Sequence, residues 1–219
     1  MKLLSVSTAR SLWFVQVDDL NPRGLDLLPI LAAIQARYRF QVYPTKPEDI
    51  YTPSDGIKFS KGSFRLDDGQ QVEIAKATLY NDGILADTRH STTVADLFIN
   101  DLLTFLSQSC RLTFEPQMVQ RKVYLSELVV STDADLETLN KGFCEFSALL
   151  ADANGEGREF KAISVKFGTD PASPGIALQF SFERRALRPF NENRYFSTAP
   201  VGTDKHLELL YAWERIVAG

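Results

Sequence analysis

The stretch ERRALRPFNENRY, Glu183 to Tyr195, puts four arginines and two aromatic rings within thirteen residues. A guanidinium offers five N–H donors in a planar fork, and its faces stack on aromatic rings. Such groups recognise carboxylates, phosphates and aromatic side chains, and arginine with aromatics is the composition of interfaces. Arg184, Arg185, Arg188, Phe190, Arg194 and Tyr195 are therefore the candidate partner-binding residues. The competing reading is a solvated loop whose Phe190 tucks into the core.

Catalytic chemistry has thinner support. Glu159-Phe160-Lys161 supplies the Glu-x-Lys that a metal-dependent nuclease of the PD-(D/E)xK type sets on a strand, where carboxylates hold a divalent cation and the lysine steadies developing charge. The upstream acids Asp133, Asp135 and Asp152 read as helix cap or loop rather than strand. A Cys–His pair would need Cys144 beside His90 or His206. Cys144 falls in mid-helix, away from the helix N-terminus that stabilises a thiolate, and reads as a small buried hydrophobe. Both histidines fall near helix starts, where the positive helix end disfavours an imidazolium, and read as surface residues. With no cysteine pair nearby they make no zinc site. Gly24, Gly56, Gly62 and Gly83 stand alone as turn residues, not as a phosphate loop. No catalytic residue, metal ligand or cofactor is assigned.

The elements that would position these residues follow from periodicity. Leu12–Val17 (LWFVQV) reads as a strand. A helix capped near Gly24 or Asp26 carries Leu27, Leu31, Ile34 and Tyr38 on one face, with Pro29 tolerated in its first turn. Arg39–Tyr43 reads as a short strand, and Pro44, Pro47 and Pro53 stiffen the loop after it. Ile57–Leu66 and Gln71–Tyr80 read as a hairpin around Asp67-Asp68-Gly69. Asn81-Asp82-Gly83 turns into a strand at Ile84–Thr88. Ser91, Thr92 and Thr93 offer caps to a helix whose buried stripe is Val94, Phe98, Leu102 and Phe105, helped by Leu97 and Leu106.

Cys110–Arg121 is a connector and the best internal boundary. Beyond it, Lys122–Ser131 is apolar on both faces and reads as a central strand. A helix bearing Leu136, Leu139, Phe143, Phe146 and Leu150 follows, ended by Gly155 and Gly157. Glu159–Gly168 and Ile176–Arg185 form a further strand pair, then Tyr195–Thr198 a strand. A closing helix from Thr203 buries Leu209 or Leu210, Trp213, Ile216 and Val217.

The order strand, helix, antiparallel strands, helix thus occurs twice. An offset of 112 lays Trp13–Val17 on Leu125–Val129, and Leu27, Leu31, Ile34 and Tyr38 on Leu139, Phe143, Phe146 and Leu150. An offset of 111 lays Phe98, Ile99, Leu102, Phe105 and Leu106 on Leu209, Leu210, Trp213, Ile216 and Val217. Helical period alone also produces such matches; the constant order and offset argue for a repeat. The expected fold is α+β: one compact domain over 1–219, with similar halves at about 11–109 and 121–218. Their strands form a sheet, and the helices, each with a single apolar stripe, pack on one face. This plan resembles that of the TATA-binding-protein fold and, more loosely, of sliding-clamp domains. The resemblance is one of topology; neither family's sequence motif is present, so no function is carried over.

Bulk properties bound the function. The 219 residues are 44% hydrophobic and 24% charged, ordinary globular values. The net charge of −4 argues against a chain whose main task is wrapping nucleic-acid phosphate. MKLLSVSTARS is too short in its apolar run for a signal-peptide core, and no apolar run approaches membrane-spanning length. A cytoplasmic, non-membrane protein is expected. The leading expectation is a non-enzymatic binding or scaffold protein that recognises a protein partner or itself. Nucleic-acid binding through the Arg-rich loop and the polar sheet face near Gln179, Ser181 and Arg185 is the second reading. A metal-dependent nuclease using Glu159 and Lys161 is the third.

Overall fold

The computed structural model describes residues 1–46, 48–51, 55–134, 136, 141–155, 158–170 and 178–218. Strand β1 (Lys2–Phe14) begins well before the apolar run that marks it in the sequence. Its middle, Ser7–Ser11, is made of Ser, Thr, Ala and Arg, so the side chains it buries there are small; Ala9 and Ser11 are fully buried. A single turn, α1 (Val17–Leu20), follows. Asp26 caps α2 (Leu27–Tyr38) by accepting the Leu28 N–H at 3.1 Å, which satisfies one of the open amides of the first turn. Ile30, Leu31, Ile34 and Tyr38 form its buried face.

Arg39 ends α2 in the left-handed region, at φ 52°. The strand expected at Arg39–Tyr43 is reduced to one bridge, Val42 to Ser60, because the helix cap consumes its first residue and Pro44 has no amide to extend the ladder. After the short turn α3 (Glu48–Tyr51) come β2 (Ile57–Arg65), β3 (Gln71–Tyr80) and β4 (Gly83–Thr88). The hairpin register runs from Ile57 opposite Leu79 to Arg65 opposite Gln71, and Gly69 supplies the positive φ of the turn. All six residues of β4 are buried. Ser91 then caps α4 (Thr92–Cys110), its side chain accepting the Val94 N–H at 3.2 Å.

Beyond α4 come β5 (Arg121–Ser131), α5 (Lys141–Asn154), β6 (Ser164–Gly168), β7 (Gln179–Arg184), β8 (Arg194–Ala199) and α6 (Thr203–Ala218). The strands form an open eight-stranded sheet in the order β2-β3-β4-β1-β5-β8-β7-β6. The pairs β2–β3, β3–β4, β4–β1, β6–β7 and β7–β8 are antiparallel. The fold is thus a mixed α/β one. Among the described residues no helix is long and apolar enough to cross a membrane.

The chain divides into two compact units. The first holds Thr8–Ser126 with Val201–Thr203; the second holds Met1–Ser7, Glu127–Pro200 and Asp204–Gly219. In the first, α2 and α4 cover one core that includes Trp13, Phe59, Ile74 and Ile84 from the strands. Aromatic edges organise it, with Tyr38 and Phe98 ring centres 5.0 Å apart and Phe40 and Phe59 5.1 Å apart.

The core of the second unit is smaller: Leu128, Val130, Leu136, Phe182, Tyr195 and Leu210. Several expectations fail there. The stripe on α5 is not buried: Phe143 is 41% exposed, Phe146 61% and Leu150 37%, while Leu139 lies outside the described residues. On α6, Leu210 and Val217 are buried but Leu209 and Ile216 are exposed. Period sets which side chains share a face, but not whether anything packs against it. Cys144, on α5, is exposed rather than buried. The strands expected at Glu159–Gly168 and Ile176–Arg185 shorten to β6 and β7, and residues 176 and 177 lie outside the described residues.

Candidate partner-binding surface

The Arg-rich segment leaves β7 at Arg184, makes a one-turn helix at Phe190–Glu192 and enters β8 at Arg194. Its six candidate residues divide by burial. Tyr195 is fully buried, its ring stacked on Phe182 at 4.4 Å, and belongs to the core rather than to a contact surface. Arg184 points inward along the loop. Its Nε donates to the Ala162 carbonyl at 3.1 Å and an Nη1–H to the Phe190 carbonyl at 3.3 Å. Its guanidinium lies 4.9 Å from the Phe190 ring centre and 5.4 Å from that of Tyr195. Arg184 therefore holds the loop together, and half-buried Phe190 is its stacking partner.

Arg185, Arg188 and Arg194 face outward. Arg185 lies over the Phe196 ring at 5.7 Å. Glu192 takes Arg194 at 3.0 Å and Arg188 at 3.7 Å, so one carboxylate serves two guanidiniums and the loop stays cationic. At the tip stands Leu187, fully exposed, at φ 60°. A leucine in the left-handed region is strained, and here no packing offsets the strain.

The same unit carries most of the exposed apolar bulk. Of seventeen large hydrophobic residues exposed among the described residues, only Leu28, Val42, Tyr43 and Leu97 belong to the first unit. The other thirteen include Phe146 at 61%, Leu149 at 64%, Ile163 at 62% and Phe167 at 55%. Phe167 lies on β6, which ends the sheet and, among the described residues, pairs only with β7. An unpaired edge with exposed apolar side chains is a template for a further strand.

The residues weighed for catalysis lie apart in function. Glu159 and Lys161 pair with each other at 3.2 Å, on a segment without strand structure. Asp133 and Asp152 are exposed, and Asp135 lies outside the described residues. Among the described residues no group of three or more His, Cys, Asp or Glu gathers to hold a metal. Burial pushes the Cys110 thiol up, away from thiolate reactivity. His90 is exposed, but His206 is fully buried, against the surface reading. Its Nε2 lies 2.9 Å from Ser197 Oγ, which itself donates to the Ser181 carbonyl at 2.8 Å. The hydroxyl proton is thus committed to Ser181, and the imidazole presents Nε2–H to the Ser197 lone pair. The buried pair ties α6 to β8. Of the polar sheet-face residues, Gln179 and Arg185 are exposed and Ser181 is buried.

One polar cluster escaped sequence reasoning. Asp96 of α4 accepts from Ser11 Oγ at 2.5 Å, Trp13 Nε1 at 2.6 Å and Tyr124 Oη at 2.9 Å. Lys122 Nζ stands 4.0 Å from the same carboxylate and 3.6 Å from the Trp13 ring centre. Burial, then the bond to Asp96, push the Tyr124 phenol up to about 12. These donors bind the helix to β1 and β5. The only sequence signal is the inward period of Ser11 and Trp13, which does not name an acceptor. No family model and no curated protein sequence matches this chain.

Proposed function

We propose that this chain is a non-enzymatic binding or scaffold protein that recognises another protein, a second copy of itself included, through its second unit. The observation that supports this is the concentration there of exposed large apolar side chains, thirteen of the seventeen among the described residues, together with a cationic loop. Leaving so many large side chains in water forgoes about 1.5–3 kcal/mol each relative to burial. A partner that covers them recovers that energy. Arg185, Arg188 and Arg194 then supply a polar rim of directional donors, and strained Leu187 is placed to enter a pocket on the partner. Arg184, Phe190 and Tyr195 act underneath, by holding the loop in shape.

The reading extends to the chain's history. We propose that residues of about 11–109 and 121–218 are copies of one strand–helix–strands–helix unit within a single domain, with helices on one sheet face. Under the offset of 112, buried Leu31, Ile34 and Tyr38 correspond to exposed Phe143, Phe146 and Leu150. The second copy keeps the apolar stripe without the internal cover, which fits a cover supplied from outside.

The test is pull-down from the source cell with wild-type protein, a triple variant R185A/R188A/R194A and an F146E variant. Loss of one captured protein, or of a second copy, in both variants supports the reading. Capture of DNA or RNA with a steep salt slope, lost in the arginine variant alone, transfers support to nucleic-acid binding. Identical capture by all three sinks both.

A further inference from the structure

The first unit contains a polar cleft of about 490 Å³ lined by the last residues of α2, the end of β2 with its turn, and α4. Its volume is that of a small-molecule site. Three arginines line it, Arg37, Arg39 and Arg65, against one acidic residue, Asp101. Asp101 is committed: Arg37 grips it through Nε at 3.3 Å and Nη2 at 2.9 Å, and Tyr38 Oη donates to it at 2.6 Å. Arg37 also lies in the last turn of α2, where a cation answers the carbonyl end of the helix. Its charge is therefore spent.

Arg39 and Arg65 are different. Both are exposed, and among the described residues neither forms an ion pair. Arg39 is held in the left-handed region at φ 52°. Arg65 lies over the turn, its Nη2 3.6 Å from where a side chain on Gly69 would begin. Gln71 donates to Ser63 Oγ at the cleft wall, which fixes a neutral polar surface beside the two cations.

Two uncommitted guanidiniums in a polar cleft match one doubly charged anion. A phosphoryl group carries about −1.5 to −2 at neutral pH and offers three acceptor oxygens to guanidinium forks. We propose that this cleft binds a phosphoryl dianion, as free phosphate or as the phosphate of a small ester, through Arg39 and Arg65. The cleft lies outside the surface proposed for partner binding, and the two readings stand or fall separately.

The test is calorimetric titration of the full chain at low salt with inorganic phosphate and with O-phosphoserine. Variants are R39G, which removes the guanidinium and relieves the positive φ, and R65Q, an exposed exchange; thermal melts verify that both fold. The expected result is saturable one-to-one binding, weakened about tenfold or more by each variant and unchanged in R23Q, an exposed arginine outside the cleft. Tighter binding of phosphoserine assigns the ester, and equal affinity assigns the free anion. Absence of saturable heat in the wild type, or wild-type affinity in both R39G and R65Q, overturns the site.

Discussion

Thr92 and Thr203 exchange hydrogen bonds. The Thr92 N–H donates to Thr203 Oγ1 at 3.0 Å, and the Thr203 N–H donates to Thr92 Oγ1 at 2.9 Å. Both are buried, and each is the first residue of its helix, α4 or α6. The first-turn amide of one helix is thus satisfied by the side chain of the other. The two residues are 111 apart in the chain.

Replacing either threonine by valine keeps the shape and leaves one buried N–H without an acceptor. T92V and T203V should each cost about 1–3 kcal/mol by urea denaturation. Because the two bonds are equivalent, the costs should agree within about 0.5 kcal/mol, and because the residues touch, the double variant should depart from their sum by about 0.5 kcal/mol or more. Clearly unequal costs would count against equivalence of the two helix starts.

The Tyr124–Asp96 bond predicts an alkaline limb. The folded phenol is pushed up to about 12 from its ordinary 10, so its contribution is complete below about pH 10 and lost as pH rises through about 12. Urea midpoints measured across that window should fall more steeply for wild type than for Y124F. Separately, D96A should cost about 3 kcal/mol at neutral pH, since it strands three donors.

Arginines of one loop should separate by role. R184A removes bonds to the Ala162 and Phe190 carbonyls and should cost about 1–2 kcal/mol. R188A loses an exposed pairing with Glu192 and should stay within about 0.5 kcal/mol of wild type. Equal melting of R184A and R188A would contradict the inward placement of Arg184.

Gly62 is a packing requirement. A side chain there would begin 2.3 Å from the Phe40 ring, which is itself fully buried. G62A should lose about 1–3 kcal/mol in chemical denaturation, as overpacked cores do. Wild-type stability would show that Phe40 has room to move.

The legible parts of this fold are those fixed by short stretches of sequence. Asp67-Asp68-Gly69 and Asn81-Asp82-Gly83 marked the turns around β3, and Ser91 with its following stripe marked the start and buried face of α4. The front of β1 was hidden because Ala9 and Ser11 are buried without being strongly apolar. The Asp96 cluster was hidden because its donors come from two strands far away in the chain. His206 read as a surface residue because a single histidine in a first turn gives no sign that Ser197 waits opposite. On α5 the period was legible, but its consequence was not. An apolar stripe has one appearance whether its cover is intramolecular or arrives from elsewhere.

Native mass measurement on protein purified from its own source, at several concentrations, tests the partner-binding claim most directly. The account predicts a species heavier than the 24.6 kDa chain, holding a second copy or another protein, that reverts to the single chain in the F146E variant. A single 24.6 kDa species at every concentration, with no companion chain, would contradict it.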